Sequence, residues 1–226
     1  MDVTSRQPLF DRLVALSASD WDAYTHHPFV EAMGTGTLPQ AAFRHYLVQD
    51  YLFLIQFARA YALAVYKARS LEEMRSGLRG LSAILDKEMD LHVDYCAGWG
   101  ISRAEMEASE EDMPTVAYTR FVIDAGLAGD LLDLHVALAP CVIGYAVIAR
   151  RLAEAGGVRD GNPYSLWIAE YASAAYQDLA ASAVESLDRL AGDDLSDGRL
   201  VRLAKLFGQA CRLEAAFWQM GLDKAP

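Results

Sequence analysis

The chain has 226 residues, of which 53% are apolar, and a formal net charge of −11. This length suffices to bury the core of one large domain, so we expect a single domain over residues 1–226. A surface with this charge repels phosphate backbones, which argues against a nucleic-acid partner.

Neither a membrane span nor a secretion signal is expected. The most apolar stretch, 131–152, is interrupted by Asp133, His135 and Pro140, and a span needs about 18 apolar residues or more. The first residues, MDVTSRQPLF, lack a basic start followed by an apolar run. The three cysteines, Cys96, Cys141 and Cys211, form no CxxC pair, so they fit neither a disulfide framework nor a zinc site. We expect a cytoplasmic protein with reduced thiols, no metal and no cofactor.

Hydrophobic periodicity indicates helices along nearly the whole chain, without strand alternation or an Asn-Gly hairpin turn. The predicted helices span 7–17, 20–34 (broken near Pro28), 39–67, 71–98, 102–108, 114–127, 129–155, 163–172, 172–191 and 197–221. The fold class is therefore all-α, with antiparallel helices packed as a bundle.

Several helix starts carry a sequence signal. Capping boxes are predicted at Ser70 with Glu73 and at Ser102 with Glu105. Proline in the first turn favours further starts at Pro39 and, after an Asn162 N-cap, at Pro163.

Three of these helices carry a chemically active side chain in the middle of an apolar seam. They are Asp50 in 39–67, Cys141 in 129–155 and Glu214 in 197–221. A buried carboxylate without a partner is costly, so it pairs, shifts its pKa or binds a ligand. The candidate cationic partners are Arg120, Arg150 and Arg212. Two interpretations of these acids therefore stay open. Each acid is either structural, as part of a buried salt bridge or a cap, or functional, lining a small-molecule pocket.

For Cys141 alone, an inert core thiol is the favoured reading. Pro140 changes the balance, because a proline kinks a helix, and a helix that restarted there would favour the thiolate. Tyr118, Tyr145 and Tyr171, taken singly, read as core packing.

The histidines raise the question of a metal. Glu88 and His92 share a helix face, but a di-iron bundle needs several such pairs at a different spacing. We interpret them as a structural or supporting pair. His26 and His27 precede Pro28 and indicate a turn before a helix.

Six stretches together resemble the TenA/thiaminase II family in their order and spacing. They are FRHYLVQDYLFLIQFARAY (43–61), KEMDLH (87–92), PTVAYTRFV (114–122), LAPCVIGYAVIA (138–149), NPYSLWIAEY (162–171) and FGQACRLEAAFW (207–218). The resemblance implies a haem-oxygenase-like helical bundle. Pro140-Cys141 with Tyr145 is similar to the cysteine-bearing branch of the family.

The resemblance also implies an activity: hydrolysis of 4-amino-5-aminomethyl-2-methylpyrimidine, or of thiamin, to the hydroxymethyl pyrimidine. By resemblance, Cys141 is the nucleophile and Glu214 moves protons on the pyrimidine. The implied substrate-binding residues are Asp50 and Tyr118 at the amino edge of the ring, Tyr145 and Tyr171 near the thiol and acid, and Phe217 against the ring. A homotetramer is implied as well.

One position departs from the family. A tyrosine is common three residues after the aspartate, and Phe53 stands there. The lost hydroxyl puts the orientation of the substrate or of Glu214 in doubt. Two alternatives therefore stay open: a haem- or di-iron-dependent oxidase on the same fold, and a pyrimidine-binding or regulatory protein without catalysis.

Overall fold

The computed structural model describes residues 7–224 and, within them, every side chain except that of Lys87. Helices dominate this range and no strand occurs in it, so the all-α prediction is confirmed. In chain order the elements are α1 (Leu9–Leu16), α2 (Ala18–Thr25), α3 (Pro28–Thr35), α4 (Gln40–Lys67), α5 (Leu71–Ala83), π1 (Ile84–Glu88), α6 (Met89–Ala97), α7 (Arg103–Glu107), α8 (Met113–Ala128), α9 (Leu131–Ala139), π2 (Pro140–Gly144), α10 (Tyr145–Glu154), α11 (Ser165–Ala172), α12 (Ala174–Ala191) and α13 (Asp197–Leu222).

Local signals place most helix starts correctly. Both predicted capping boxes form, at the starts of α5 and α7. Pro39 is the N-cap of α4, one residue before the helix. The expected N-cap at Asn162 is wrong, because α11 begins at Ser165. The Asn162 amide instead donates to the carbonyl oxygens of Met33 and Gly157, and its oxygen accepts from the Tyr164 N–H.

The described residues divide into two compact units. The first unit runs up to Gly36 and from His135 to Arg212, and the second runs from Thr37 to Leu134 and from Leu213 onward. The single domain over residues 1–226 stays a prediction.

Helix α4 organises the second unit. It has 28 residues without glycine or proline, and it packs against α5, α6, α7 and α8. Its buried face includes Phe43, Leu47, Leu54 and Phe57, each worth about 1.5–3 kcal/mol of burial. This packing fixes the direction in which Asp50, on the same buried stretch, presents its carboxylate.

In the first unit, α10 packs against α11, and α12 contacts π2. Gly144 admits the Tyr24 ring, since a Cβ there would lie 2.5 Å from Tyr24 Cε1. The Tyr24 hydroxyl donates to the carbonyl oxygen of Pro140 at 3.1 Å. The π2 segment is therefore held by a neighbouring side chain as well as by its own backbone.

The expectation that no stretch could span a membrane needs a correction. By length and composition alone, Leu131–Glu154 is apolar enough to do so. Because 78% of its most apolar window is buried inside the protein, it fits a core helix.

Candidate functional site

Asp50 is the centre of a buried polar cluster in the second unit. Only 4% of its surface is exposed. Its Oδ2 accepts a hydrogen bond from the Tyr46 hydroxyl at 2.9 Å, and His92 Nε2 lies 2.6 Å from the same oxygen. The contact between α4 and α6 brings the aspartate and the histidine together.

The histidine of this pair is fully buried and held on both sides. His92 Nδ1 lies 2.7 Å from the carbonyl oxygen of Glu88, the last residue of π1. Burial lowers the pKa of His92, but the hydrogen bond and charge of Asp50, with a smaller contribution from Glu88, outweigh it and raise the pKa overall.

This pairing was missed from the sequence and corrects two expectations. The partner of Asp50 is His92, whereas Arg120 pairs with Glu111 and Arg212 with Asp20. Arg150 is exposed. His92 does lie beside Glu88, as predicted, but bonds to its backbone oxygen. A histidine one helical turn after an acid was the available signal, but its partner lies 42 residues away.

Both ring nitrogens of His92 are engaged, by Asp50 Oδ2 and by the Glu88 carbonyl oxygen. His27 Nδ1 accepts from the Phe29 N–H at 3.3 Å, which confirms the predicted turn before α3. Metal ligation through either ring nitrogen of His92 would break one of these two hydrogen bonds, so this geometry does not favour the oxidase alternative.

Glu214 is the second acid of the cluster and is 1% exposed. The Tyr118 hydroxyl donates to its Oε1 at 2.9 Å. Burial raises the pKa of Glu214 well above the ordinary value, the hydrogen bond from Tyr118 opposes this, and the charge of Asp50 raises it further. Burial therefore favours the protonated form of this carboxyl more than water does.

An aromatic wall adjoins these acids. The Phe53 ring lies 4.9 Å from the Tyr118 ring and 5.7 Å from the Phe217 ring, between centroids. Phe217 also packs edge-on against Tyr46 at 6.0 Å. Five of the predicted site residues therefore lie in the second unit: Asp50, Phe53, Tyr118, Glu214 and Phe217.

The other three predicted site residues, Cys141, Tyr145 and Tyr171, lie in the first unit. Cys141 is 6% exposed and lies in π2, one turn before Tyr145. The Tyr145 and Tyr171 ring centroids are 5.2 Å apart, and the Trp167 ring packs at a tilt against both, at 5.6 and 4.5 Å. Trp167 was not predicted, although it precedes Tyr171 by one helical turn.

Pro140 does not restart the helix. Residues 139–145 keep right-handed helical backbone angles through π2, so no free helix N-terminus faces Cys141. The condition under which a helix terminus would favour the thiolate is therefore not met. What Pro140 marks is a π-helical turn, which is frequent at functional sites.

Comparison with known proteins fits this arrangement. Residues 17–224 match the model of the TENA/THI-4/PQQC family. Over 204 residues the chain is 38% identical to the aminopyrimidine aminohydrolase of Halalkalibacterium halodurans, covering 90% of this chain and 91% of that one. The structure of a TenA family transcription regulator from Silicibacter sp. TM1040 is 44% identical, with a TM-score of 0.90 and coverage of 95% and 96%.

A protein of unknown function with a haem-oxygenase-like fold, from Shewanella denitrificans, superposes with a TM-score of 0.74 at 14% identity, covering 95% of this chain and 92% of that one. The fold is therefore the predicted haem-oxygenase-like helical type, with buried acids and tyrosines among its helices. The chain belongs to the TENA/THI-4/PQQC family. The predicted enzyme class, a hydrolase acting on C–N bonds, is confirmed at that level by its relatives.

Proposed function

We propose that this chain is an aminopyrimidine aminohydrolase of thiamin salvage. It converts 4-amino-5-aminomethyl-2-methylpyrimidine and water to the 5-hydroxymethyl pyrimidine and ammonia. The observation that carries the proposal is the buried cluster of Asp50, Tyr118 and Glu214 with its aromatic wall. Acids held next to aromatic rings suit a flat, basic ring with several N–H donors and acceptors.

Within the proposal, Asp50 and Tyr118 bind the amino and ring-nitrogen edge of the pyrimidine. Phe217 packs against the ring face. Glu214, whose pKa is raised by burial, delivers a proton to the ring and takes it back. A protonated ring is a better electrophile, which is the condition for nucleophilic attack.

Cys141 is the proposed nucleophile, with Tyr145 and Tyr171 beside it. Its sulfur adds to the ring carbon next to the 5-substituent, and the ring electrons then expel the amine from the methylene. Water adds to that methylene, and the thiol leaves as the ring regains aromaticity. The covalent adduct divides a hard displacement into easier steps. In this mechanism the Cys141 thiol and the Glu214 carboxyl both act on the same substrate molecule. The mechanism uses no metal or cofactor.

The proposal predicts that the purified protein releases one ammonia for each hydroxymethyl pyrimidine formed from the aminomethyl pyrimidine. Coupled ammonia detection and chromatography of the pyrimidine measure both products. Thiamin, assayed in parallel, tests the second proposed substrate. Absence of both products from folded protein would refute the proposal.

A second candidate function is a regulatory protein that binds pyrimidine without hydrolysing it. It is favoured by Phe53, which supplies no hydroxyl beside Tyr118 and Phe217, and by the description of the Silicibacter relative as a transcription regulator. Calorimetric binding of the pyrimidine with no ammonia release would select this candidate over the enzyme.

A homotetramer is proposed as the assembly, and an exposed apolar stripe on α5 and π1 supports it. Leu71, Met74, Leu78 and Leu85 are 68%, 38%, 54% and 48% exposed at helical spacing. Such stripes mark interaction surfaces. We predict that light scattering gives four times the chain mass and that Leu78→Glu lowers it. Leu127→Glu, at an exposed residue of α8, should not. A monomeric wild-type protein would contradict the assembly.

The cytoplasm is the proposed location. Cys96, Cys141 and Cys211 are buried thiols, which suits a reducing compartment.

A further inference from the structure

Asp50 uses its two carboxylate oxygens unequally. The hydrogen bonds from Tyr46 and His92 both reach Oδ2, at 2.9 and 2.6 Å. From the described part of the chain, no hydrogen bond reaches Oδ1. A carboxylate held at one oxygen by two donors cannot turn freely, so its other oxygen has a fixed direction.

The surroundings of His92 indicate which proton it carries. Its Nδ1 faces the carbonyl oxygen of Glu88, which can only accept, so Nδ1 carries a hydrogen. Its Nε2 faces Asp50 Oδ2, which already accepts from Tyr46. A doubly protonated imidazole beside an ionised carboxylate satisfies every one of these contacts.

The pairing of His92 with Asp50 also affects Glu214, the second buried acid of the same unit. The charge of Asp50 acts on Glu214, and two nearby buried carboxyls do not ionise together cheaply. A cation in contact with one of them decides which acid carries the charge. His92 contacts Asp50, whereas the one hydrogen bond that Glu214 receives from the described residues comes from the neutral hydroxyl of Tyr118.

We propose that His92 is a positioning residue: as an imidazolium, with Tyr46, it occupies Oδ2 of Asp50, keeps that acid ionised while Glu214 stays protonated, and leaves Oδ1 to accept an N–H of the substrate. The assignment of that N–H to the exocyclic amine of a pyrimidine rests on the proposed function. The double protonation of the His92 ring does not depend on the proposed function.

Histidine ionisation is measured first, in ligand-free protein. Nitrogen-15 NMR of the His92 ring at neutral pH should show both nitrogens protonated, and Asp50→Asn should convert the ring to the neutral form because burial then dominates. Among the described residues, the charged groups that act on the ring are Asp50 from α4 and Glu88 from π1, and Tyr46 from α4 donates to the same oxygen of Asp50. A neutral His92 ring in wild-type protein would overturn the proposal.

Substrate recognition is measured second, with His92→Gln, whose amide can still donate to Oδ2 without a charge. We expect kcat/KM for the aminomethyl pyrimidine to fall about tenfold to a hundredfold, the size of a lost charged hydrogen bond. Its pH profile should also change shape, because the substitution removes a titratable cation from the cluster. Selectivity for the amine over an analogue with methyl at that position should also shrink.

His45→Gln is the matched control, since His45 Nε2 also lies 2.7 Å from an aspartate, Asp112, but outside this cluster. It should leave the rate and the pH profile unchanged. A His92→Gln profile that superposes on the wild type, with unchanged selectivity, would reduce His92 to a structural residue. Wild-type protein with neither turnover nor pyrimidine binding, but with a doubly protonated His92, would overturn the proposed function and leave the ion pair established.

Discussion

Replacing Cys141 with serine should lower kcat by roughly four orders of magnitude or more, the scale on which loss of a covalent nucleophile acts. A serine hydroxyl is a far weaker nucleophile than a thiol unless a neighbouring base takes its proton. Cys141 is buried in π2. Because serine is nearly isosteric with cysteine, the fold and the binding of the hydroxymethyl pyrimidine should persist. Ammonia release measures the first effect and calorimetry the second.

Cys96→Ser provides the matched control for this variant. Cys96 is a fully buried thiol on α6, and burial raises its pKa to about 11, so it stays protonated near neutral pH. Its substitution should leave the specific activity of the folded protein unchanged. Retention of a tenth of the wild-type rate by Cys141→Ser would make the assignment of the nucleophile wrong. A loss of activity in folded Cys96→Ser as large as that in Cys141→Ser would do the same.

Local physics made the helices predictable. Apolar spacing and capping residues depend on the nearest turn of chain, and both capping boxes form where the sequence places them. Asn162 shows the limit of such signals. Its side chain bonds to the carbonyl oxygen of Met33, a distant residue, and α11 begins three residues later. A local cap motif cannot report a partner that tertiary packing supplies.

The sequence predicted which residues belong to the candidate site better than it predicted their hydrogen-bond partners. An acid among the apolar residues of a helix face is expected to be buried and to need a partner, and this pattern identified Asp50 and Glu214 as candidate site residues. The identity of the partner depends on which helix packs against α4, and the sequence offered three arginines where the fold supplies His92. The π1 segment, which ends at Glu88, has no proline to signal it, whereas Pro140 lies in π2.

Replacing Glu214 with glutamine should lower kcat by about 10²- to 10⁴-fold, the usual contribution of a positioned acid–base group. Glutamine keeps the oxygen that accepts from Tyr118, so the fold and ring binding should survive while proton transfer is lost. Steady-state kinetics on the aminomethyl pyrimidine measure the effect. Unchanged kinetics would make Glu214 a structural residue.

The same substitution has an effect on stability whose sign follows from burial. Because burial raises the pKa of Glu214 above 4.5, the folded protein holds one more proton than the unfolded chain between that value and the raised pKa. The stabilisation is complete below pH 4.5, and it is lost as pH rises through the raised pKa, by up to about 1.4 kcal/mol per pH unit. Glutamine removes this slope.

Urea denaturation across that pH range should therefore give a flatter profile for Glu214→Gln than for wild-type protein. The exposed acid Glu154, changed to glutamine, should leave the slope as it is. Parallel slopes for wild type and Glu214→Gln would mean that the carboxyl is ionised in the folded protein. It would then have no proton to give the pyrimidine at the start of the reaction, and the division of charge between Asp50 and Glu214 would have to be reversed.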